Sequence, residues 1–158
     1  MPPDKKKLKK RSSPRFARRR SSIHGFGIFA LRQIPAGTRL LEYKGALITS
    51  EQAEGRYPEI STPPHTFLFD ADDDMYIDAG VGGNSARWIN HSCDPNCETI
   101  QEERRVFIET IRRIMPGEEI SYDYLITLDG PHDAKAKQRW PCHCGAKTCR
   151  GTMLKPRR

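Results

Sequence analysis

The sequence predicts a mainly β protein, and three observations support this prediction. Short runs of aliphatic, aromatic and β-branched residues alternate with turn signals along most of the 158 residues. Two of these runs follow similar proline-glycine turns, at residues 35–37 and 116–117, where proline suits the first corner of a turn. Only residues 50–57 have a helical pattern. We therefore expect one domain of short strands with one short helix.

The individual elements follow from these runs and their boundaries. Ser50 is the expected N-cap of the helix, and Gly55 and Pro58 weaken it early. Residues 129–139 are polar, and their pattern fits either a helix or an ordered loop. The predicted strands cover residues 28–31, 38–43, 65–69, 76–78, 105–110 and 119–124.

The charge of the chain is divided between a basic arm and an acidic body. Residues 1–22 contain ten Lys/Arg and one acid, a net charge of +9, whereas residues 23–140 contain 12 Lys/Arg and 19 Asp/Glu, a net charge of −7. We expect residues 1–20 to be a disordered arm with weak affinity for nucleic acid, and order to begin near Ile23. The acidic body would attract a Lys/Arg-rich protein substrate.

The chain has no apolar run near the ~20 residues that cross a bilayer, and no apolar segment follows its basic N-terminus. We therefore expect a soluble, intracellular protein without a membrane partner. Separately, we expect it to be a monomer. The five cysteines cannot all pair with one another, and in a reducing compartment they are expected to stay reduced. Metal binding is the better prediction for them.

The first motif is a Gly-x-Gly loop in residues 24–30. Gly25 and Gly27 allow either a tight turn or a close approach of the backbone to a ligand. The third glycine and the following helix of a dinucleotide-binding fingerprint are missing, which excludes that fold.

Two further segments are rich in polar or phenolic side chains. Residues 83–97, which include Asn90 and His91, suit either a polar ligand or a buried polar turn. Tyr122 and Tyr124 would share one face of a strand, so that their hydroxyls either enter one pocket or lie in the core.

The last motif is a C-x-C-x4-C cluster formed by Cys142, Cys144 and Cys149. Three thiolates so close together favour zinc, and a structural zinc site takes four ligands. His143 lies awkwardly between two of the cysteines, so either Cys93 or Cys97 is the expected fourth ligand.

Together these segments resemble the SET-domain protein-lysine methyltransferases from about residue 19 to residue 154. The cysteine-rich pre-SET cluster of some relatives has no counterpart, and the arrangement resembles the small stand-alone SET proteins of bacteria, which suggests a bacterial source. The resemblance rests on the Gly-x-Gly loop, E-Y-x-G at 42–45, R-F-I-N-H-S-C at 87–93 with Trp88 in place of Phe, the tyrosine motif at 121–124 and the post-SET segment at 142–151.

This resemblance implies a mainly β SET-domain (β-clip) fold with a pseudoknot-like crossing. It divides the chain into the basic arm at 1–20, the SET domain at 21–128, and a linker with the post-SET zinc segment at 129–158. It also implies a cytoplasmic protein if the source is bacterial, and a nuclear, chromatin-associated one if the source is eukaryotic or the protein is delivered to a host.

The resemblance further implies methyl transfer from S-adenosyl-L-methionine (SAM) to lysine in a histone or histone-like protein. Tyr122 stands where family members carry tyrosine or phenylalanine, which implies a monomethyl product. The alternative is a noncatalytic zinc-containing adaptor that binds basic proteins or nucleic acid. The implied sites are catalytic Tyr124, Tyr122 and Tyr43; SAM-binding His24, Gly25, Phe26, Gly27, Tyr43, Arg87, Asn90, His91 and His143; and zinc ligands Cys93, Cys142, Cys144 and Cys149.

Overall fold

The structure, a computed structural model, describes residues 14–57 and 67–157. These residues form mostly strands, as predicted, and none of their helices has the length and apolarity needed to span a bilayer. The helices are α1 (Ser50–Arg56), α2 (Ala134–Arg139) and a 3-10 turn (Ser85–Trp88). The strands are β1 (Phe16–Arg20), β2 (Phe26–Ala30), β3 (Arg39–Glu42), β4 (Ala46–Thr49), β5 (Leu68–Asp70), β6 (Met75–Asp78), β7 (Asn90–His91), β8 (Cys97–Glu102), β9 (Arg105–Thr110) and β10 (Glu119–Tyr122).

Three small sheets enclose one apolar core. Their strand orders are β1-β2-β10-β7, β3-β9-β8 and β4-β6-β5. Isoleucines from several strands and loops are completely or almost completely buried in this core, and their burial contributes hydrophobic stabilisation. They are Ile28, Ile34, Ile89, Ile108, Ile114 and Ile120.

A short parallel pairing brings two distant segments of the chain together. In the β7–β10 pair, Asn90 lies opposite Ser121 and His91 lies opposite Tyr122. Asn96 reinforces the contact, because its Oδ1 accepts from the Ser121 N–H over 2.9 Å. The polar segment and the tyrosine segment, some thirty residues apart, therefore meet in the crossing that the resemblance implies.

The two helices have caps that refine the sequence predictions. Thr49, rather than Ser50, is the N-cap of α1: its hydroxyl accepts from the Gln52 N–H, and the Gln52 side chain accepts from the Thr49 N–H. This capping box satisfies two free donors of the first turn. Residues 129–139, whose pattern fitted either a helix or a loop, contain the short helix α2. Asp133 caps this helix by accepting from the Ala136 N–H over 2.9 Å.

The expectation of a disordered arm up to residue 20, with order from Ile23, is wrong for β1. This strand pairs in antiparallel register with β2, from Phe16 opposite Ala30 to Arg20 opposite Phe26. The sequence did not indicate this strand, because arginine-rich segments are usually exposed to solvent. In the structure the arginines instead contact aromatic rings, and the guanidinium of Arg18 lies 4.8 Å from the centre of the Phe26 ring. Residues 1–13 of the expected arm lie outside the described residues.

Strands β4, β7 and β8 were also not predicted from the sequence. The hairpin between β8 and β9 turns at Glu103 and Arg104, both of which have positive φ. Such two-residue turns usually carry Asn or Gly, so Glu-Arg gave no turn signal. The predicted strand at 65–69 corresponds to β5, which begins at Leu68; its first two residues lie outside the described residues.

Candidate active site

A cleft of about 1230 Å³ contains most of the predicted site residues. A second hollow of about 390 Å³ lies beside Lys44 and Arg105, and of the predicted residues only Tyr43 reaches it. The larger cleft is therefore the candidate active site. The predicted residues that line it are His24, Tyr43, Arg87, Asn90, His91, Tyr122, Tyr124, Cys142 and His143.

Three tyrosines meet in this cleft. The centres of the Tyr122 and Tyr124 rings are 4.9 Å apart. The predicted strand contained both tyrosines, but β10 ends at Tyr122, so Tyr124 lies just beyond it. The Tyr43 hydroxyl donates to the carbonyl of Phe67 over 2.8 Å, and the Tyr124 hydroxyl donates to the carbonyl of Ile89. Two of the three phenols are thus fixed by backbone acceptors.

These tyrosines are kept protonated by their surroundings. Burial raises the pKa of each phenol well above its ordinary value of 10, because the charged form would lose its hydration. Neighbouring phenols add to the effect for Tyr43 and Tyr122. At neutral pH the three hydroxyls can donate and accept hydrogen bonds, but they cannot act as general bases.

Phe69 completes an aromatic wall that the sequence analysis missed. Its ring centre lies 5.2 Å from that of Tyr43 and 6.2 Å from that of Tyr122. Phe67 lies two residues earlier and also lines the cleft. The only available signal was the alternation of two phenylalanines in a predicted strand, which is equally typical of a core.

Asn90 joins the Gly-x-Gly loop to β10. Its Nδ2 lies 3.1 Å from the carbonyl oxygen of His24, 2.9 Å from that of Phe26 and 2.8 Å from Glu119 Oε1. Glu119 also accepts from the Ser21 hydroxyl over 2.8 Å and was missed by the sequence analysis. A Cβ at Gly27 would lie 2.0 Å from Glu119 Oε1, so a side chain at this position would displace the carboxylate from Asn90.

His91 connects the tyrosine segment to the cysteines. It is 3% exposed, its Nδ1 accepts from the Tyr124 N–H over 3.0 Å, and its Nε2 lies 3.4 Å from Cys93 Sγ. Burial lowers the pKa of His91 to about 4, although Asp123 opposes the shift. The imidazole is therefore neutral, and the proton on Nε2 faces the sulfur.

Two exposed histidines and one arginine occupy the other walls. His24 and His143 both line the cleft, from the Gly-x-Gly loop and from the cysteine segment respectively. The Arg87 guanidinium lies 4.8 Å from the Trp88 ring centre and 5.4 Å from that of Phe67. The loop at 24–27, the polar segment and the C-terminal segment therefore surround the same space.

Four cysteines form a candidate metal centre beside the cleft. The Sγ atoms of Cys93, Cys142, Cys144 and Cys149 all lie within 4.8 Å of one another, and those of Cys93 and Cys142 are 3.7 Å apart. Tetrahedral zinc with Zn–S bonds of about 2.3 Å requires sulfurs about 3.8 Å apart. The Cys144 N–H points at Cys142 Sγ and the Gly151 N–H at Cys149 Sγ, each over 3.4 Å. Four cysteine sulfurs at these separations are a donor set that fits a tetrahedral metal.

Cys97 is excluded from this centre. It is 1% exposed in the apolar core, and burial raises the pKa of its thiol to about 12. Of the two alternatives left open by the spacing, the structure therefore brings Cys93 to the cluster.

The mainly β fold, the parallel crossing and the cleft agree with one family in the comparison with known proteins. The profile of the SET domain matches residues 25–125, and the chain belongs to the SET-domain family. The matched segment contains the loop glycine Gly25, the Asn90–His91 strand and both tyrosines of the 122–124 motif.

Several relatives are named as histone-lysine methyltransferases. The chain is 38% identical over 148 residues to histone-lysine N-methyltransferase 2B of Homo sapiens, covering 90% of this chain and 5% of that protein. It is 39% identical over 137 residues to the trithorax methyltransferase of Drosophila virilis, covering 83% and 3%. It is 39% identical over 139 residues to the "H3 lysine-4 specific" enzyme of Schizosaccharomyces pombe, covering 84% and 14%. The chain thus spans a small part of these relatives.

Proposed function

We propose that this chain is a SAM-dependent protein-lysine N-methyltransferase that acts on a basic protein. The observation that carries the proposal is the meeting of three protonated tyrosines with the Asn90–His91 strand in one cleft. Family membership supports it, since SET methyltransferases use SAM and the relatives described above are named for lysine methylation.

The cleft suits a cationic cofactor and an amine acceptor. When bound, SAM supplies a methyl group carried on a positively charged sulfonium. Aromatic faces and neutral oxygens favour such a cation, and Tyr43, Phe69 and Tyr122 provide them. The residues proposed to hold SAM are His24, Gly25, Phe26, Gly27, Tyr43, Arg87, Asn90, His91 and His143.

The contribution of the protein to the reaction is mainly geometric. Methyl transfer is an in-line displacement, so the neutral amine must be aimed at the methyl carbon. Tyr124 is proposed to orient that amine, while Tyr43 and Tyr122 line the lysine channel. The hydrogen bonds of the Tyr43 and Tyr124 hydroxyls to backbone carbonyls keep these side chains in place before the substrate arrives.

The target lysine must lose a proton before it attacks. Its ordinary pKa is about 10.4, and a dry channel next to a positive charge lowers that value. The tyrosines cannot take the proton, because burial raises their pKa values further above neutrality. Water at the mouth of the channel is therefore the proposed proton acceptor.

Acidic side chains at the mouth of the cleft support a basic protein substrate. Glu54, Asp70 and Asp129 line the cleft near Tyr76, whose pKa is raised by burial and by these carboxylates. Lysine- and arginine-rich peptides would be attracted to this mouth. Histones are basic proteins of this kind, and the names of the relatives also refer to histone lysines. A histone substrate would place the protein in the nucleus.

Zinc is proposed to occupy the four-cysteine centre in a structural role. Because metal binding of this kind is coupled to ordering, it would stabilise the C-terminal segment that carries His143 to the cleft. The protein is proposed to act as a monomer, and the basic N-terminal residues are proposed to add a weak contact with nucleic acid. A bacterial source stays a prediction.

Calorimetric titration with SAM separates the enzyme from a noncatalytic zinc adaptor. The zinc-loaded chain should bind SAM, and Asn90→Ala should weaken binding, because it releases the loop at residues 24–27. Leu47→Ala, at an exposed position outside the larger cleft, is the control and should bind normally. A folded, zinc-loaded chain that does not bind SAM would favour the adaptor.

A further inference from the structure

Arg150 lies between the cysteine centre and the tyrosine segment. It directly follows Cys149, and its backbone N–H points at Cys93 Sγ over 3.4 Å. Its guanidinium donates twice to Asp123, from Nη1 to Oδ2 over 2.8 Å and from Nη2 to Oδ1 over 3.0 Å. Bidentate pairs of this kind fix direction as well as distance. Arg150 is therefore held at both ends.

The pair is partly shielded from water. The Arg150 side chain is 25% exposed and that of Asp123 is 20% exposed, and Arg150 Nε is buried without a hydrogen-bond partner among the described residues. Burial of Nε without a partner destabilises this position of the guanidinium, so other contacts must compensate for it. The two bonds to Asp123, together with the nearby sulfurs, account for its position.

Asp123 in turn fixes the backbone around Tyr124. Asp123 Oδ1 accepts from the Leu125 N–H over 3.1 Å, and Leu125 has a φ of 49°, an uncommon conformation for a residue with a side chain. On the other side, the Tyr124 N–H donates to His91 Nδ1. The turn that ends β10 is thus held at the amide of Tyr124 and at the amide that follows it.

We propose that the Arg150–Asp123 ion pair is a positioning pair that transmits the order of the cysteine centre to Tyr124. Loss of the pair lets the turn at Leu125 relax, and the Tyr124 hydroxyl then leaves its place beside the methyl acceptor. The proposal rests on the proposed function only for its kinetic consequence. The contact between the two segments exists whether or not the chain transfers methyl groups.

Two substitutions separate geometry from charge. Arg150→Lys keeps the positive charge near the thiolates but loses the bidentate fork, and Asp123→Asn keeps an acceptor for Leu125 but loses the charge. Arg112→Lys is the matched control, because Arg112 also pairs with a carboxylate, that of Glu118 over 3.0 Å, on an exposed turn.

Kinetics and metal content are measured on the zinc-loaded full chain. Both variants should retain one zinc per chain, lower kcat about tenfold and change the KM for SAM by less than about threefold, since positioning acts on turnover. The double variant should be no slower than the slower single variant, because the two residues act as one unit. Arg112→Lys should behave as the parent.

Tyrosine-labelled NMR gives a readout that does not depend on activity. The chain has five tyrosines, so the signal of Tyr124 is assigned with Tyr124→Phe. That signal should shift in Arg150→Lys and Asp123→Asn, while the signal of Tyr57, which bonds Asp78, stays in place. An unmoved Tyr124 signal with kcat within twofold of the parent would overturn the proposal, as would a loss of kcat that matches the loss of zinc. A parent that moves no methyl groups refutes the proposed function, and the NMR result still decides the role of the pair.

Discussion

Tyr122 differs from its neighbours because its hydroxyl has no hydrogen-bond partner among the described residues. The Tyr43 and Tyr124 hydroxyls both donate to carbonyls, whereas Tyr122 is 5% exposed and lines the cleft. A free phenol at this place can hold a water beside the target nitrogen. A second methyl group would have to displace that water, which is unfavourable when its hydrogen bonds are not replaced.

We therefore predict mainly monomethyl-lysine, and a shift toward dimethyl- and trimethyl-lysine in Tyr122→Phe. The variant should keep most of its activity, because only one hydroxyl is removed from a ring that stays packed against Phe69. Mass spectrometry of a peptide methylated to completion measures the products. Abundant trimethyl-lysine from the parent chain would contradict this account.

Tyr124→Phe should have a different effect. Its hydroxyl donates to the Ile89 carbonyl, and its removal should lower kcat about 100-fold, the usual cost of losing one fixed polar group at a reacting centre. Calorimetry should show SAM binding close to that of the parent. A variant with nearly normal turnover would show that another group orients the amine.

The pH dependence should show the titration of the substrate and not of the cleft tyrosines. Burial raises the pKa of Tyr43, Tyr122 and Tyr124, so these phenols remain protonated, and their contribution to activity persists, up to at least pH 9.5. The rate at low peptide concentration should rise from pH 7 to pH 9 as the amine loses its proton. A fall in rate over this range, with the chain still folded, would assign a lower pKa to one of the three phenols.

The sequence predicted residues that line the candidate site, but it did not predict the residues that support them. The cysteine cluster was visible from its spacing, whereas Asn90 and His91 gained a role only through the resemblance to the SET family. Glu119 and Asp123 were not predicted, because a carboxylate in a strand or turn is ordinary in a sequence. Their roles depend on partners 29 and 27 positions away, Asn90 and Arg150.

At the scale of elements, edge strand β1 is the clearest departure from the sequence prediction. Pattern analysis assigns Arg-rich segments to solvent, yet this strand pairs along its length with β2, and the Arg15 side chain donates to the Leu40 carbonyl over 3.0 Å. The central strands β9 and β10 were predicted from their β-prone residues, and β10 also follows the proline-glycine turn at residues 116–117. The β-propensity of residues predicts edge strands poorly, because packing against the single neighbouring strand decides whether they form.

Removal of β1 should therefore destabilise the domain. A chain that begins at Ser21 lacks the pairing with β2 and the packing of Phe16 against the core, and we expect a melting temperature about 5–10 °C below that of a chain that begins at Pro14. Calorimetric melting of the two zinc-loaded chains measures the difference. Equal melting temperatures would show that β1 adds nothing to stability.

The cysteine centre makes an equally direct prediction. Cys93→Ser should lose the zinc, because its Sγ lies 3.7 Å from that of Cys142, whereas Cys97→Ser should retain one zinc per chain. Cys97→Ser should instead cost about 1–3 kcal/mol of stability, since it buries a hydroxyl in the core. Metal analysis with chemical denaturation decides between the two ligands, and zinc loss in Cys97→Ser alone would reverse the assignment.

Across the whole molecule, the crossing of β7 and β10 positions the candidate site. The crossing places the polar segment and the tyrosines around one cleft, with the cysteine centre beside it. The carboxylates that line this cleft would attract the basic substrate proposed above. The motifs in the sequence predicted many of the residues that line this cleft. The sequence could not predict the aromatic wall of Phe67 and Phe69, since that contact depends on how the β5 sheet packs across the core.

Transfer of methyl groups from SAM to lysine can be measured directly. Zinc-loaded parent and Tyr124→Phe chains should be incubated with methyl-labelled SAM and purified histones, and the labelled residues mapped by mass spectrometry. We expect label on lysine side chains with the parent and about 100-fold less label with Tyr124→Phe, which should keep its fold and zinc content. No lysine labelling by a parent chain that binds SAM, or equal labelling by both chains, would contradict this expectation.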